Sequence, residues 1–438
     1  MRDPAGRLDL SGPAAIRHLS GDTPLPTFLT HPVARALVED GLLVPFRIEA
    51  ADRIESPKYS FVSQPGEWAD AQFHDAALLT LSLAERILDA GFELKDASAW
   101  NVVFDGCKPR FCDHLSFEPI TRREWWAFGQ FCRHFVFPLA VSRWRGLRAS
   151  QLFLTFRDGL PAPVARELLG TRGLLSRLLP LLWNANRASG ASQMDAGQAS
   201  PAVSPLHRSV VSYARNALFR PATSNPADGP GWRDYTRTRN HYAVEASAFK
   251  ATQVDRWLSE MHPDRVLDLG CNTGEFSKLA LRHAQQVIAI DADHDSVQRL
   301  YLENRQEIRL HVLVANLGDV NGGRGWAGAE FPGLLQRLRG HCDALLMLAL
   351  THHLHFSEGI PLAEIAALAA ELTSRHLILE VIDEDDEMVK RLAGQRQRST
   401  ATFSTQQQRD AFARYFDLLD TVSLPQTPRQ LLLMRRKP

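Results

Sequence analysis

The sequence lacks the features that mark several protein classes. Its 438 residues include 50 lysines and arginines and 50 aspartates and glutamates, so its formal net charge is zero. A chain without excess positive charge has no overall electrostatic field that attracts nucleic-acid phosphates, although its net charge does not exclude a local basic patch. No targeting segment is visible at the N-terminus. The most apolar stretch, at 174–183, is about half the length that spans a bilayer. We therefore expect no nucleic-acid partner and no membrane anchor.

Cysteine is also scarce. The chain has five cysteines, scattered and without a C-x-x-C pair: Cys107, Cys112, Cys132, Cys271 and Cys342. This pattern disfavours both a disulfide framework and a structural zinc site. We expect a cytoplasmic protein that holds no metal, since a reducing compartment is the natural setting for unpaired thiols.

The composition is that of an ordinary globular protein, with 45% hydrophobic and 23% charged residues. A chain of this length predicts two domains. Segments 188–205 and 221–231 are rich in Ser, Ala, Gly and Pro and show no apolar periodicity, which is typical of linkers or exposed loops. We place the boundary near residue 200, giving domains 1–200 and 201–438.

The second domain alternates predicted strands and helices. Five apolar runs of strand length are separated by helical patterns, and two more strands follow at the C-terminus around a Pro-containing turn: Arg265–Leu269, Gln286–Asp291, Arg309–Asn316, Asp343–Leu350, His376–Ile382, Phe416–Leu424 and Arg429–Arg435. Such alternation predicts an α/β fold with a doubly wound, seven-stranded, mostly parallel sheet. The last two strands are expected to be antiparallel.

A polar, glycine-containing turn follows the first of these strands. It reads Asp268-Leu-Gly270-Cys-Asn272-Thr-Gly274, and a helix is predicted to begin there. Two residues without Cβ allow a ligand to come close, Asn tolerates positive φ, and the first N–H groups of the helix face the ligand. About 20 residues later the second strand ends at Asp291, whose carboxylate can accept hydrogen bonds from a ribose diol.

These motifs resemble those of class I S-adenosylmethionine-dependent methyltransferases, from about residue 232 to the end of the chain. The spacing is G-x-N-x-G instead of the dinucleotide fingerprint G-x-G-x-x-G, which favours a nucleoside that carries an amino acid. The resemblance implies S-adenosylmethionine as cofactor. It places Asp268, Gly270, Asn272 and Gly274 in the first motif, Asp291 on the ribose, and Asn316 and Leu317 at the adenine.

Two histidines, His352 and His353, follow the fourth strand of the predicted sheet. Ligands bind at the carboxyl ends of the strands in open α/β sheets, so one imidazole is a candidate general base near neutral pH. The structural alternative is that one histidine caps the following segment and the other packs. His355 and Glu358 lie nearby, but neighbouring histidines on a turn rarely converge on a metal without ligands from elsewhere.

The first domain contains one pattern with chemical content, after an amphipathic helix predicted at Ala77–Ala90. Asp96 and Asn101 have the spacing D-x-x-x-x-N, and Asp113 follows a predicted hairpin. This arrangement resembles the catalytic loop of protein-kinase-like and aminoglycoside-kinase-like folds. A glycine-rich phosphate loop and a strand lysine paired with a helix glutamate are missing from the sequence pattern. We therefore expect a degenerate kinase-like α+β domain in which these residues pin the loop. An active phosphotransferase and a coincidental match are the alternatives.

The resulting hypothesis is a methyltransferase that acts on a small-molecule or glycan-like acceptor by direct in-line transfer. An RNA methyltransferase is a second candidate, with basic clusters at Arg143, Arg145, Arg148 and at 435–437. A bifunctional kinase–methyltransferase and a noncatalytic nucleoside-binding scaffold complete the alternatives. The acceptor atom and the oligomeric state are left open.

Overall fold

The computed structural model describes residues 5–21, 23–121, 125–174, 176–184, 205–222 and 241–438. The chain divides into two compact units, Met1–Asp228 and Gly229–Pro438. This division falls later than the boundary near residue 200, because the helix Pro205–Ala217 packs within the first unit, against the helix Asp70–Leu88. The predicted linkers at 188–205 and 221–231 lie almost entirely outside the described residues.

The first unit combines small antiparallel sheets with helices. Its elements in chain order are β1 (Gly6–Asp9), β2 (Ala14–Leu19), α1 (Pro32–Glu39), β3 (Arg47–Ala50), β4 (Arg53–Pro57), α2 (Asp70–Leu88), β5 (Phe92–Leu94), β6 (Val102–Asp105), β7 (Lys108–Phe111), β8 (Phe117–Pro119), α3 (Phe128–Phe131), α4 (Phe137–Arg145), α5 (Ala149–Thr155), α6 (Ala162–Leu174), α7 (Leu179–Asn184) and α8 (Pro205–Ala217). A four-stranded sheet has the order β1-β2-β4-β3, and β5 pairs with β8 and β6 with β7. The unit is thus α+β, whereas its kinase-like character stays a prediction.

The second unit contains one large sheet with helices between its strands. Its elements are α9 (His241–Met261), β9 (Arg265–Leu269), α10 (Glu275–Ala280), β10 (Gln286–Asp291), α11 (His294–Glu303), β11 (Leu310–Val314), α12 (Leu334–Leu338), β12 (Cys342–Met347), α13 (Leu362–Leu372), β13 (Thr373–Ile382), α14 (Glu387–Gln395), α15 (Thr405–Ala413), β14 (Phe416–Ser423) and β15 (Arg429–Arg436). None of the helices in the described part of the chain is long and apolar enough to cross a membrane.

The sheet has the strand order β11-β10-β9-β12-β13-β15-β14. Strands β9 to β13 run parallel, and β15 is antiparallel to both of its neighbours, β13 and β14. The predicted seven-stranded, mostly parallel sheet is therefore confirmed, as is the antiparallel final pair. The central strands are mostly apolar because both faces of the sheet are buried.

The strand order reverses between β9 and β12. The chain moves outward from β9 to β11 and then returns to β12 on the other side of β9. Because Leu269 pairs with Ile290 on one side and with Met347 on the other, the turns that follow these strands leave the sheet at the same edge. Such a reversal opens a crevice at the carboxyl ends of the strands, where ligands bind in open α/β sheets.

Candidate active site

The turn between β9 and α10 has the backbone that its sequence predicts. Gly270, Asn272 and Gly274 have φ values of 75°, 49° and 78°, all in the left-handed region. Both glycines are also packed closely against leucine side chains. A Cβ on Gly270 would lie 3.2 Å from Leu350 Cδ1, and one on Gly274 would lie 2.3 Å from Leu300 Cδ1. The absence of a Cβ at these two positions therefore makes room for the side chains of Leu350 and Leu300.

Asp291 ties the end of β10 to this turn. Its Oδ2 accepts a hydrogen bond from the backbone N–H of Asn272 at 2.7 Å, and its Oδ1 accepts one from Asp293 at 2.8 Å. Burial raises the pKa of Asp291, although the backbone donors act in the opposite direction. A carboxylate has about four acceptor positions, so two backbone hydrogen bonds leave capacity for hydroxyl groups of a ligand.

Asp268 lies one residue before the end of β9 and is buried. Its Oδ2 accepts a hydrogen bond of 2.5 Å from Ser277 Oγ, which holds α10 against the strand. Burial raises the pKa of Asp268 to about 6, and the nearby charge of Asp291 acts in the same direction.

Asn316 lies just beyond the end of β11. Its Oδ1 accepts a hydrogen bond from the backbone N–H of Gly318 at 2.9 Å, and its Nδ2 lies 3.5 Å from Glu358 Oε1. These contacts fix the amide where the chain leaves the sheet and bring it beside the segment that follows β12.

His352 and His353 lie in the segment after β12. His352 is 2% exposed, and its Nδ1 is buried without a hydrogen-bond partner. It occupies the cap position of the turn 353–357 but makes no side-chain capping bond, so the capping interpretation is wrong for this residue. The ring of His353 is centred 4.0 Å from it. Burial lowers the pKa of His352 well below its usual value and that of His353 to about 4, so both rings are neutral at pH 7.

Four charged side chains form a network beside these histidines. Lys250 from α9 hydrogen-bonds to Glu380 at the end of β13, and Arg429 Nη1 lies 3.3 Å from the other carboxylate oxygen of Glu380. Arg429 also makes two hydrogen bonds to Asp386, of 2.8 and 3.2 Å. Although burial opposes ionisation of Glu380, the two cations lower its pKa. Glu380 is therefore a buried carboxylate, neutralised by its partners.

A cavity of about 420 Å³ opens between the strand ends. Six residues predicted to bind the cofactor line it: Asp268, Gly270, Asn272, Asp291, Asn316 and Leu317. His352 and His353 line it as well, whereas Gly274 faces Leu300. Lys250 lines the cavity too, and so do Phe276 and Met388, to which sequence reasoning gave no role in the site. No local pattern marks them, because they belong to helices whose packing against the sheet decides what they face.

In the first unit, the residues of the kinase-like pattern do come together. Asn101 Nδ2 donates a hydrogen bond of 3.1 Å to Ser116 Oγ, which donates one of 2.5 Å to Asp113 Oδ2. Arg17 lies 3.4 Å from Asp113, and Asp96 accepts a hydrogen bond from a nearby backbone N–H. These contacts hold the loop between β5 and β8 in place. Within the described residues, no cluster of His, Cys, Asp or Glu is arranged to hold a metal ion.

Residues 239–420 match the family model described as a methyltransferase domain. This match, together with the seven-stranded sheet and the cavity at its topological switch point, defines the second unit as a class I methyltransferase domain. The chain is thus an S-adenosylmethionine-dependent methyltransferase, and that part of the sequence-based resemblance is confirmed.

One curated relative is similar over nearly the full chain. It is nodulation protein NoeA of Rhizobium meliloti (strain 1021), 26% identical over 458 residues, which cover 99% of this chain and 95% of the relative. The second unit is similar to the N-methyltransferase NodS from Bradyrhizobium japonicum WM9, solved with S-adenosyl-L-homocysteine, at 13% identity and a TM-score of 0.35, covering 49% of this chain and 95% of that one. It is also similar to magnesium protoporphyrin IX methyltransferase from Synechocystis PCC 6803, at 16% identity and a TM-score of 0.31, covering 48% and 92%. Both TM-scores are low, so neither structure adds to the functional assignment.

Proposed function

We propose that this enzyme transfers a methyl group directly from S-adenosylmethionine to a small-molecule or glycan-like acceptor bound beside His352. The observation that carries the proposal is the cavity itself, which brings Asp291, Asn316 and His352 together at one edge of the sheet. Its volume of about 420 Å³ lies in the range of about 300–1,000 Å³ that is typical of small-molecule sites.

The residues at one end of the cavity fit the adenosyl part of the cofactor. Asp291 keeps acceptor positions for a ribose diol, the Asn316 amide can exchange hydrogen bonds with the adenine edge, and Leu317 offers an apolar surface. Gly270 and Asn272 would border the amino-acid part. Asp268, buried and bonded to Ser277, would keep this turn in place.

The cofactor supplies an electrophilic methyl group on a sulfonium whose positive charge disappears on transfer. The chain has to align the acceptor and to take up its proton. A neutral His352 imidazole can accept that proton: the O–H or N–H bond of the acceptor breaks, an N–H bond forms on the ring, and the acceptor gains the methyl group. One positive charge is lost at sulfur and one appears on the imidazole, so the site keeps its net charge. Burial keeps His352 neutral beforehand.

One observation favours a small acceptor over RNA. In one basic cluster, Arg148 is 5% exposed and lies 3.6 Å from Asp70, while Arg145 donates hydrogen bonds to the backbone carbonyls of Leu168 and Leu169. These side chains serve the fold of the first unit and are not free for phosphates.

A methyl-transfer assay over a panel of carbohydrate and small-molecule acceptors tests the proposal, with His352→Gln as the informative variant. We expect kcat to fall by about 10²–10⁴-fold, the usual contribution of a general base, while S-adenosylmethionine affinity stays within about twofold. His376→Gln, at the far end of β13, is the matched control and should keep full activity. Full activity of both His352→Gln and His353→Gln would refute the assigned roles. Cofactor binding without turnover on any acceptor would favour a noncatalytic scaffold.

A further inference from the structure

Helix α15 carries three consecutive glutamines, and the third of them lies in the core. Gln406 and Gln407 are exposed, whereas Gln408 is 0% exposed. Two residues of a buried apolar cluster, Ile382 and Phe403, are among its hydrogen-bond partners. Burying an amide in apolar surroundings is costly unless its polar groups are paired, and each hydrogen bond made there is strengthened by those surroundings. The partners of Gln408 therefore show which parts of the fold it holds together.

The Gln408 amide links two segments at the carboxyl edge of the sheet. Its Nε2 donates a hydrogen bond of 2.6 Å to the carbonyl oxygen of Ile382, the last residue of β13. Its Oε1 accepts two hydrogen bonds, one of 3.4 Å from the N–H of Ile382 and one of 3.2 Å from Thr351 Oγ1. Thr351 belongs to the segment that follows β12, and the pairing of β12 with β13 ends at Met347 and Leu379. The amide therefore joins the two segments beyond the point where their backbones pair.

The segment held in this way carries His352. Its backbone is strained at Ala349, whose φ of 53° lies in the left-handed region that a residue with a Cβ disfavours. Thr351 is 0% exposed, and within the described residues the buried Nδ1 of His352 has no hydrogen-bond partner. A ring that lacks this anchor takes its position from packing and from the backbone that carries it. The hydrogen bond from the neighbouring Thr351 to Gln408 is therefore an anchor for the imidazole as well.

We propose that Gln408 is a positioning residue for His352: by holding Thr351 against the end of β13, its amide fixes where the imidazole lies in the cavity. This inference rests on the proposed function, in which His352 accepts the proton of the methyl acceptor. Neither Thr351 nor Gln408 is among the described residues that line the cavity. The pair therefore acts on the transfer through its neighbour and not by contact with the cofactor or the acceptor. A misplacement of about 1 Å in a reacting group can slow a reaction by about 100-fold.

A methyl-transfer assay of the full chain tests this with variants that nearly keep the size of each side chain. Gln408→Met removes the amide, and we expect kcat to fall by at least about tenfold, while S-adenosylmethionine affinity measured by calorimetry stays within about twofold. Thr351→Val removes only the hydroxyl and should lower kcat as well, whereas Thr351→Ser keeps the hydroxyl and should stay within about twofold of the wild type. Gln406→Met is the matched control on α15, since Gln406 is exposed and hydrogen-bonds to Asp410 at the surface. It should keep full activity.

A double-variant cycle separates positioning from a general effect on the fold. In the His352→Gln background, Gln408→Met should lower kcat by less than about twofold more, because the group that it positions is already gone. If the loss is as large in this background as in the wild type, Gln408 does not act through His352 and the proposal is overturned. Unchanged kcat in both Gln408→Met and Thr351→Val overturns it too. If Gln408→Met does not fold, Thr351→Val takes its place in the cycle with the same expectation.

Failure of this inference can be distinguished from failure of the proposed function. A fully active His352→Gln variant, or no turnover on any acceptor, would refute the proposed role of His352 and the positioning role with it. An impaired His352→Gln variant beside a fully active Gln408→Met variant would leave the proposed function in place and refute the positioning role alone.

Discussion

Asp291 is the residue on which the cofactor placement depends most. Its carboxylate is mostly buried, is held by two backbone N–H groups and borders the cavity. Replacing it with alanine removes a charged hydrogen-bond acceptor, so we expect S-adenosylmethionine binding to weaken by about 1–3 kcal/mol. Calorimetry measures this, and Asp410→Asn, an exposed change on α15, is the control. Unchanged affinity in Asp291→Ala would contradict the assigned role.

Asp268 predicts a pH dependence of stability. Its folded-state pKa of about 6 lies above the ordinary value of 3.8, so the fold favours the protonated carboxyl. The stabilisation is complete below pH 3.8 and is lost as the pH rises through about 6, a difference of about 3 kcal/mol. Asp268→Asn cannot ionise and can still accept the hydrogen bond from Ser277. Between pH 4 and 7 its free energy of unfolding should therefore improve relative to wild type by up to about 3 kcal/mol.

Denaturant unfolding of the full chain at both pH values, for wild type and Asp268→Asn, measures that difference. Taking the difference between the two proteins removes the contributions of the titrating groups that do not interact with Asp268. An identical pH response in the two proteins would show that Asp268 titrates normally in the folded state.

Individual residues differ in how far sequence could reveal them. Asp291 and Asn272 were predictable because each follows directly from a strand end or a turn, which is a local pattern. The ion pair between Lys250 and Glu380 was not predictable, because the two residues are 130 positions apart and a lone lysine in a helix is ordinary. The purpose of Gly274 was also hidden, since Leu300 lies on another helix.

At the scale of elements, the turn between β9 and α10 is fixed by packing as well as by backbone conformation. Gly274→Ala imposes a positive φ on a residue with Cβ and also drives that Cβ into Leu300. We expect a loss of about 2–5 kcal/mol in the free energy of unfolding, from backbone strain and overpacking together.

Gly340→Ala is the matched control, because Gly340 also has a positive φ, of 61°, but open space where a Cβ would lie. Gly340→Ala should lower the free energy of unfolding by about 1–2 kcal/mol, from backbone strain alone. Denaturant unfolding compares the two variants. If both variants lose the same free energy of unfolding, Leu300 moves aside without cost and packing does not fix this turn.

The elements also show where sequence patterns succeed. β9 and β10 have the predicted bounds, because a mostly apolar segment ends at a polar turn or a carboxylate in each case. Helix α2 begins at Asp70, seven residues before the predicted start at Ala77. The first turns of α2 carry polar residues that do not follow an amphipathic pattern. Asp70 is buried there because it accepts a hydrogen bond from the backbone N–H of Ala149, a partner 79 residues away.

On the scale of the whole molecule, all residues that line the cavity belong to the second unit, between Lys250 and Met388. The isolated segment 229–438 should therefore fold and bind S-adenosylmethionine within about threefold of the affinity of the full chain, as measured by calorimetry. Loss of binding in a folded segment would mean that the first unit contributes to the cofactor site.

The first unit illustrates the limit of prediction at this scale. The spacing of Asp96, Asn101 and Asp113 was visible in the sequence, and these residues do assemble, through hydrogen bonds within their own loop and an ion pair between Arg17 and Asp113. Spacing alone does not distinguish a phosphate site from a pinned loop. Titration with ATP and magnesium decides between these interpretations: the structural role predicts no binding, whereas binding that Asp113→Asn abolishes would favour a kinase-like site.

The most direct test of the central claim is a crystal structure of the chain with S-adenosyl-L-homocysteine. We predict electron density for the adenosyl group in the cavity, with the ribose hydroxyls within hydrogen-bonding distance of Asp291 and the sulfur on the side of His352. Density elsewhere on the sheet, or an adenosyl group that does not reach Asp291, would contradict the account.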